Sequence, residues 1–238
     1  MGLDIYVGSL SRYYLGDWHS VVAQAARAEG IQFSTARPEA PESPGDPADL
    51  EEAVAAWQSA LGEALGLKDL WADRANAPYA TDQPHWLGYG ALVLLAAHLE
   101  RPDLADPSDT PQEFASSTAV EAVKAAGSDL YPSLIGGAEW WLPAPGVSAT
   151  FTGTTVDGET VAMATLDLLE RELDHLRERL GIDGAALTEA LLTGGPDPDS
   201  ADQDPKGFRD GWVVFGLAVF LELTRQAQRM QLPLLLDY

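Results

Sequence analysis

The sequence predicts an α+β protein in which about six helices pack on a small, mostly antiparallel sheet that includes the N-terminal strand. Composition is the first reason: 46% of the 238 residues are hydrophobic and 21% are charged, which is ordinary globular usage. Helical and strand patterns occur in the same chain, which is the second reason. Since no internal repeat and no linker divides the chain, we expect one domain over residues 1–238.

The N-terminal part is predicted to contain two strands and one helix. The run LDIYVG at residues 3–8 is rich in β-forming side chains and predicts the first strand. Residues 18–29 should form a helix, and residues 31–35 alternate apolar and polar side chains as a second strand does. Residues 38–48 contain four prolines and three acids, which predicts a mobile acidic loop.

Three helices are predicted in the middle of the chain. Residues 49–65 place their apolar side chains on one stripe, with Asp49 as the N-cap and Gly66 as the stop. A loop then leads to a helix over residues 85–101. Residues 110–126 are predicted to form the third helix, because they begin with an N-cap threonine, a proline and a first-turn acid. A glycine follows them and would end the helix.

The next segment combines a loop, a hairpin and a helix. Residues 131–146 are rich in aromatic residues and glycine and are predicted to form a loop. The Asp-Gly pair at residues 157–158 predicts a hairpin with a type I′ turn. Residues 166–180 place leucines at a/d spacing and end before a glycine, which is the clearest helical pattern in the chain.

The C-terminal part begins with a second acidic, proline-containing stretch. We predict a mobile loop over residues 194–207 and a helix that runs from Asp210 to Met230. The first half of that helix is apolar on every side, which indicates a buried position. Residues 234–238 are predicted to form a short terminal strand.

The charge of the chain excludes some partners. Its 37 acidic and 14 basic residues give a net charge of −23, which repels phosphate backbones and anionic lipids, so we expect no nucleic acid and no membrane partner. The longest apolar run has 10 residues, whereas a membrane span needs about 20. The N-terminus has no basic region of a signal peptide, so the cytoplasm is the expected compartment.

No motif of a cofactor or metal site is present. The chain has no cysteine, no phosphate-binding loop, no dinucleotide-binding glycine pattern and no zinc-binding His-Glu-x-x-His sequence. The acids of residues 197–207 do not fit the spacing of a calcium loop. Glu172-x-x-His175 is a single pair, and we assign it to an exposed ion-pair face. We therefore predict no cofactor and no metal.

Aromatic and polar residues that occur together in predicted loops are the candidate binding site. Amphipathic rings with a few polar groups bind planar or sugar-like ligands and form contact sites for proteins. The alternative is that rings at the bases of loops only close the edge of a core. The candidate binding residues are Arg12, Tyr13, Tyr14, Trp18, Tyr79, Trp86, Trp140 and Trp141.

Five ionisable residues have candidate chemical roles. Glu139 and Asp82 would serve as a carboxylate pair, with His85 as a general acid or base. His98 lies on an apolar stripe, which favours a core histidine with a hydrogen-bond partner over a catalytic one. Glu222 would have a shifted pKa if its helix face stays buried, and the neighbouring arginines favour an exposed face instead.

Three functions follow from these observations. The first is an acidic binding protein, such as an inhibitor or immunity-type partner of a basic protein, and the absence of catalytic motifs favours it. The second is a hydrolase or lyase that acts on a small or sugar-like substrate through Glu139, Asp82 and His85. The third is a sensor that binds a small ligand with the aromatic loops. The partner is accordingly a basic protein or a small ligand.

Overall fold

The computed structural model describes residues 3–31, 46–68, 70–198 and 205–238. Most of the strand expected at residues 31–35 and most of the acidic loop expected at 38–48 lie outside these ranges. The second acidic loop is described at residues 194–198 and at 205–207, where a helix has already begun.

A mixed, mostly antiparallel sheet confirms the predicted fold class. Its strands are β1 (Asp4–Val7), β2 (Ala80–Asp82), β3 (Trp140–Leu142), β4 (Thr150–Thr154), β5 (Thr160–Thr165) and β6 (Leu234–Asp237). Their order is β2-β1-β6-β3-β5-β4, and only the β3–β5 pairing is parallel. The predicted N-terminal and C-terminal strands thus lie side by side in the middle of the sheet, where both faces of β6 are buried.

The described residues form nine α-helices, more than the predicted number, because several short helices fill the connections. They are α1 (Leu10–Leu15), α2 (Val21–Ala28), α3 (Pro47–Leu65), α4 (His85–Glu100), α5 (Thr118–Ala126), α6 (Pro132–Gly136), α7 (Leu166–Leu180), α8 (Gly184–Thr193) and α9 (Pro205–Met230). Two 3-10 helices, Pro102–Leu104 and Pro111–Ser116, connect α4 to α5.

Helices cover both faces of the sheet. Successive residues of a strand point to opposite sides, so each face carries apolar side chains that need to be covered. Ile5 and Trp141 face the larger core, which contains residues of α4, α5, α6, α7, α8 and α9. Tyr6 and Trp140, their neighbours in sequence, face a smaller core that is covered by α1 and α3.

Helices α4 and α9 cross in the middle of the larger core with their backbones in contact. A Cβ atom added to Gly216 would lie 2.6 Å from the carbonyl oxygen of Gly88, so no side chain fits between the helices at this point. The burial of α4 and of the first half of α9 agrees with their nearly continuous apolar sequences.

Several predicted boundaries are wrong. Asp46 caps α3, three residues before the predicted Asp49, because Pro47 occupies a first-turn position that needs no N–H donor. Helix α9 begins at Pro205 instead of Asp210. The helix predicted over residues 110–126 is interrupted at Ser117. Residues 131–146 are not a loop, since they contain α6 and the buried strand β3.

The hairpin between β4 and β5 is confirmed, but its turn is not of type I′. Gly158 has a φ of 93°, whereas Asp157 is not among the residues with positive φ, as a type I′ turn would require. The amide of Gly158 donates to the carbonyl of Thr155 and closes a turn. Its two central residues are Val156 and Asp157, so Gly158 is the last residue of the turn.

Candidate functional site

Most of the predicted binding residues meet on one face of the sheet. These residues belong to a continuous group of rings, which we call the aromatic cluster. Its neighbouring rings have centroids 5.0–6.4 Å apart. It contains the predicted residues Tyr13, Tyr14, Trp18, Tyr79 and Trp140, and three others: Tyr6, Trp57 and Trp71. The predicted Arg12 belongs to the same group, since its guanidinium lies 5.2 Å from the centroid of the Tyr79 ring.

Several polar atoms of these rings form hydrogen bonds within the protein. The hydroxyl of Tyr13 donates to Asp237 at 2.7 Å, and that of Tyr6 donates to the carbonyl of Ser9 at 2.9 Å. The indole N–H of Trp71 donates to Asp73 at 3.2 Å. All eight rings are buried or half-buried. The cluster thus packs in the smaller core beneath α1 and α3, with four of its rings half-buried. A binding role for these residues stays a prediction.

Two of the predicted binding residues lie elsewhere. Trp141 points to the opposite face from Trp140, and its indole N–H donates to Ser133 in the larger core. Trp86 packs against Tyr238, with ring centroids 5.2 Å apart, on the same side of the sheet as that core. Because neighbours in a strand alternate between faces, Trp140 and Trp141 cannot line one pocket.

The proposed carboxylate pair is separated by the strand order. The carbonyl of Glu139 accepts from Leu236 in β6, and two further pairings across the sheet lead to Asp82 in β2. Three strand spacings therefore lie between Glu139 and Asp82, about 14 Å between backbones. Burial raises the pKa of Asp82, whose carboxylate accepts from the backbone N–H of Gln83.

His85 has a structural role at the start of α4. It has a φ of 58°, and its Nδ1 atom accepts a hydrogen bond from the backbone N–H of Leu87 at 3.2 Å. Its ring stacks on Trp212, with centroids 5.0 Å apart. The residue is exposed as a whole, yet loss of solvation around the ring lowers its pKa. The lowered pKa favours the neutral imidazole, which is the form whose Nδ1 can accept a hydrogen bond.

Glu172 is a buried acid with a raised pKa, whereas the sequence analysis assigned it to an exposed face of α7. Only 1% of its surface is exposed. Burial raises its pKa to about 7, although its hydrogen bonds lower it. The carboxylate accepts from the backbone N–H groups of Ser133 and Leu134 and from the Ser133 hydroxyl, at 2.7–3.0 Å.

A cleft of about 380 Å³ lies beside Glu172. His175 borders it and stacks on Tyr131, with ring centroids 5.4 Å apart, while Arg171 bonds to the hydroxyl of Ser148. Within the described ranges, no three His, Asp or Glu side chains are grouped so that they could hold a metal ion.

Two other residues from the sequence analysis have the partners that were expected. The Nε2 atom of His98 lies 2.9 Å from a carboxylate oxygen of Asp109, which confirms a half-buried histidine with a hydrogen-bond partner. Glu222 is half-buried, accepts from Gln226 at 2.9 Å and lies 3.4 Å from Arg229.

Comparison with known proteins finds no match. No protein family, no curated protein and no solved structure is similar to this chain at a significant level. Among the described residues, no helix combines the length and the apolar character that a bilayer crossing requires.

Proposed function

We propose that this chain is an acidic, non-enzymatic binding protein of the cytoplasm whose partner is a basic protein, as for an inhibitor or an immunity protein. The observation that carries the proposal is the net charge of −23. A negative surface attracts a positively charged partner and accelerates their encounter.

The net charge of −23 is the excess of acid that remains after all 14 basic residues are counted. Among the described residues, five Lys or Arg side chains lie within 4 Å of an Asp or Glu. The five pairs are Arg12–Asp17, Arg101–Asp103, Arg177–Asp174, Lys206–Asp210 and Arg229–Glu222. The remaining excess of acid leaves a strong field for a partner.

The positions of the candidate catalytic residues favour binding over hydrolysis. The backbones of Glu139 and Asp82 are about 14 Å apart along the sheet. The carboxyl groups of catalytic pairs lie roughly 5–10 Å apart, so the strand order does not favour this pair. His85 already uses Nδ1 to accept from the backbone of α4. The rings of the aromatic cluster pack on one another beneath α1 and α3, which favours a packing role over a sugar site.

The outer side of α8 supports a specific contact surface. Leu192 is 82% exposed, while Leu187 anchors the helix in the core. Leu191 lies one turn after Leu187 and is 38% exposed. The exposed acids Asp183 and Glu189 belong to the same helix region. Apolar side chains beside acids form the kind of surface that binds an apolar and basic patch of another protein.

The test is affinity capture with the tagged protein from an extract of its own host, followed by measurement of the dissociation constant for each purified partner. We expect one basic protein whose affinity falls steeply between about 50 and about 500 mM NaCl, because salt screens the charges. The variant Leu192→Ser should weaken this binding at least about tenfold.

The matched control is Leu130→Ser, which changes a leucine that is also exposed, at 46%, outside α8. It should bind the partner like the unchanged protein. Capture of no basic protein at low salt, or an affinity that does not change with salt, would contradict the proposed function. Equal weakening by both variants would remove α8 as the contact surface.

A further inference from the structure

A cavity of about 290 Å³ lies between α4, α9 and the turn from α7 to α8, separate from the aromatic cluster. Its walls are mainly apolar and include Leu95, Ile182 and Val213. Three polar side chains also line it: His98 of α4, and Arg209 and Asp210 of α9. Apolar walls with a few polar groups are typical of sites for small molecules.

His98 is held in a fixed orientation at this cavity. Its Nε2 atom bonds to Asp109 at 2.9 Å, and the hydroxyl of Ser117 donates to the same carboxylate oxygen at 2.7 Å. A carboxylate acceptor fixes the proton on Nε2 and the direction of the ring. The other nitrogen, Nδ1, makes no hydrogen bond with any described residue and is open to a ligand.

Arg209 brings a positive charge to the cavity. Its guanidinium forms no ion pair and no hydrogen bond with the described part of the chain. Asp210, the neighbouring acid that also lines the cavity, is paired with Lys206. An arginine with no acidic partner among the described residues is unusual in a chain with 37 acids and 14 basic residues, which makes it the candidate group for an anion.

We propose that this cavity binds a small monocarboxylate with a compact hydrocarbon body. The planar guanidinium of Arg209 would accept the carboxylate as a bidentate partner. The hydrocarbon part would lie against Leu95, Ile182 and Val213, and His98 would supply a second polar contact.

Size and charge narrow the class of ligand. The volume is at the lower end of the roughly 300–1,000 Å³ of drug-sized sites, which points to about ten non-hydrogen atoms or fewer. The field of a chain with net charge −23 opposes a doubly charged phosphate more than a singly charged carboxylate. The inference does not depend on the proposed function, since it concerns a different surface and a different ligand.

The experiment uses benzoate and hexanoate as probes, with benzamide and hexanamide as neutral isosteres. Binding to the full chain is followed by NMR through the methyl signals of Val213 and Val214, which both line the cavity. We expect both carboxylates to shift these signals, and the amides to bind at least about tenfold more weakly because they lack the charge.

The variant Arg209→Gln should weaken carboxylate binding at least about tenfold and leave amide binding unchanged. Its matched control is Arg101→Gln, which removes an arginine that is paired with Asp103 outside the cavity and should have no effect. The methyl shifts of the unchanged protein test the site even if Arg209→Gln does not fold. The proposal fails if neither carboxylate shifts the two valines at about 10 mM, if acids and amides bind equally, or if both arginine variants behave alike.

Discussion

Glu172 and Asp73 each cap a short helix to which they do not belong. Glu172 of α7 accepts from the first N–H groups of α6, and Asp73 accepts from Leu10 and Ser11 at the start of α1, at 2.7 and 3.0 Å. The first N–H groups of a helix have no partner within it, so an acceptor from elsewhere can satisfy them. Each carboxylate therefore attaches a short helix to the rest of the fold.

The raised pKa of Glu172 predicts a pH dependence of stability. Its pKa is about 7 in the folded protein against an ordinary value of 4.5. Between these values the folded chain keeps a proton that the unfolded chain loses, so folding is favoured at low pH. The bound proton therefore contributes about 3 kcal/mol to the free energy of unfolding. The contribution is fully present below about pH 4.5 and is lost as the pH rises through about 7.

Glu172→Gln removes this titration, so the free energy of unfolding of the variant should fall less between about pH 5 and about pH 7 than that of the unchanged protein. Urea denaturation at several pH values measures both profiles. Glu63→Gln, a change at an exposed position of α3, is the control and should follow the unchanged protein. Parallel profiles for Glu172→Gln and the unchanged protein would show that Glu172 has an ordinary pKa.

A second prediction concerns the cap of α1. Asp73→Ala leaves the N–H groups of Leu10 and Ser11 without their acceptor, and we expect the unfolding free energy to fall by about 1–3 kcal/mol. Chemical denaturation measures the loss. Glu63→Ala removes an exposed acid from α3 and should change stability by less than about 0.5 kcal/mol. A similar small effect for both variants would mean that water replaces the carboxylate of Asp73.

At the scale of elements, the crossing of α4 and α9 requires glycine. Gly216→Ala would place a methyl group 2.6 Å from the backbone oxygen of Gly88, and backbone cannot move aside as a flexible side chain can. We expect a loss of about 1–3 kcal/mol in unfolding free energy, together with displacement of the two helices. Thermal or urea denaturation measures this loss.

The control for this crossing is Gly184→Ala at the first position of α8. A Cβ atom there meets nothing within 4 Å, and the residue does not have a positive φ. Stability should be unchanged or slightly higher, because alanine is the better helix former. If both alanine variants were equally stable, the two central helices would not be in close contact.

At the scale of the whole molecule, the net charge of −23 opposes the compact state. Raising NaCl from about 20 to about 500 mM shortens the screening length and should increase the unfolding free energy by on the order of 1 kcal/mol. A variant with Glu52→Gln, Glu63→Gln and Glu121→Gln carries three fewer negative charges at exposed positions and should respond less. Stability that falls with salt would contradict this expectation.

Features that depend on residues close together in the chain could be predicted from the amino-acid sequence. Helix ends at Gly66 and Gly181 follow from the left-handed conformation that each glycine adopts, with φ of 71° and 64°. The stripe of α3 predicted the burial of Val54, and the apolar sequence around Leu217 predicted the burial of α9. Such patterns involve only a few neighbouring residues, so the structure that they predict does not depend on contacts with distant parts of the chain.

Contacts between residues that are distant in the chain depend on how the helices and strands pack against one another. The strand order separates Glu139 from Asp82, although both had seemed suited to one site. Burial of Glu172 depends on α6, whose N–H groups compensate the carboxylate, and no pattern within α7 encodes that contact. Arg209 and His98 come together at one cavity because α4 and α9 cross. These contacts arise from packing between elements, which local spacing in the sequence does not determine.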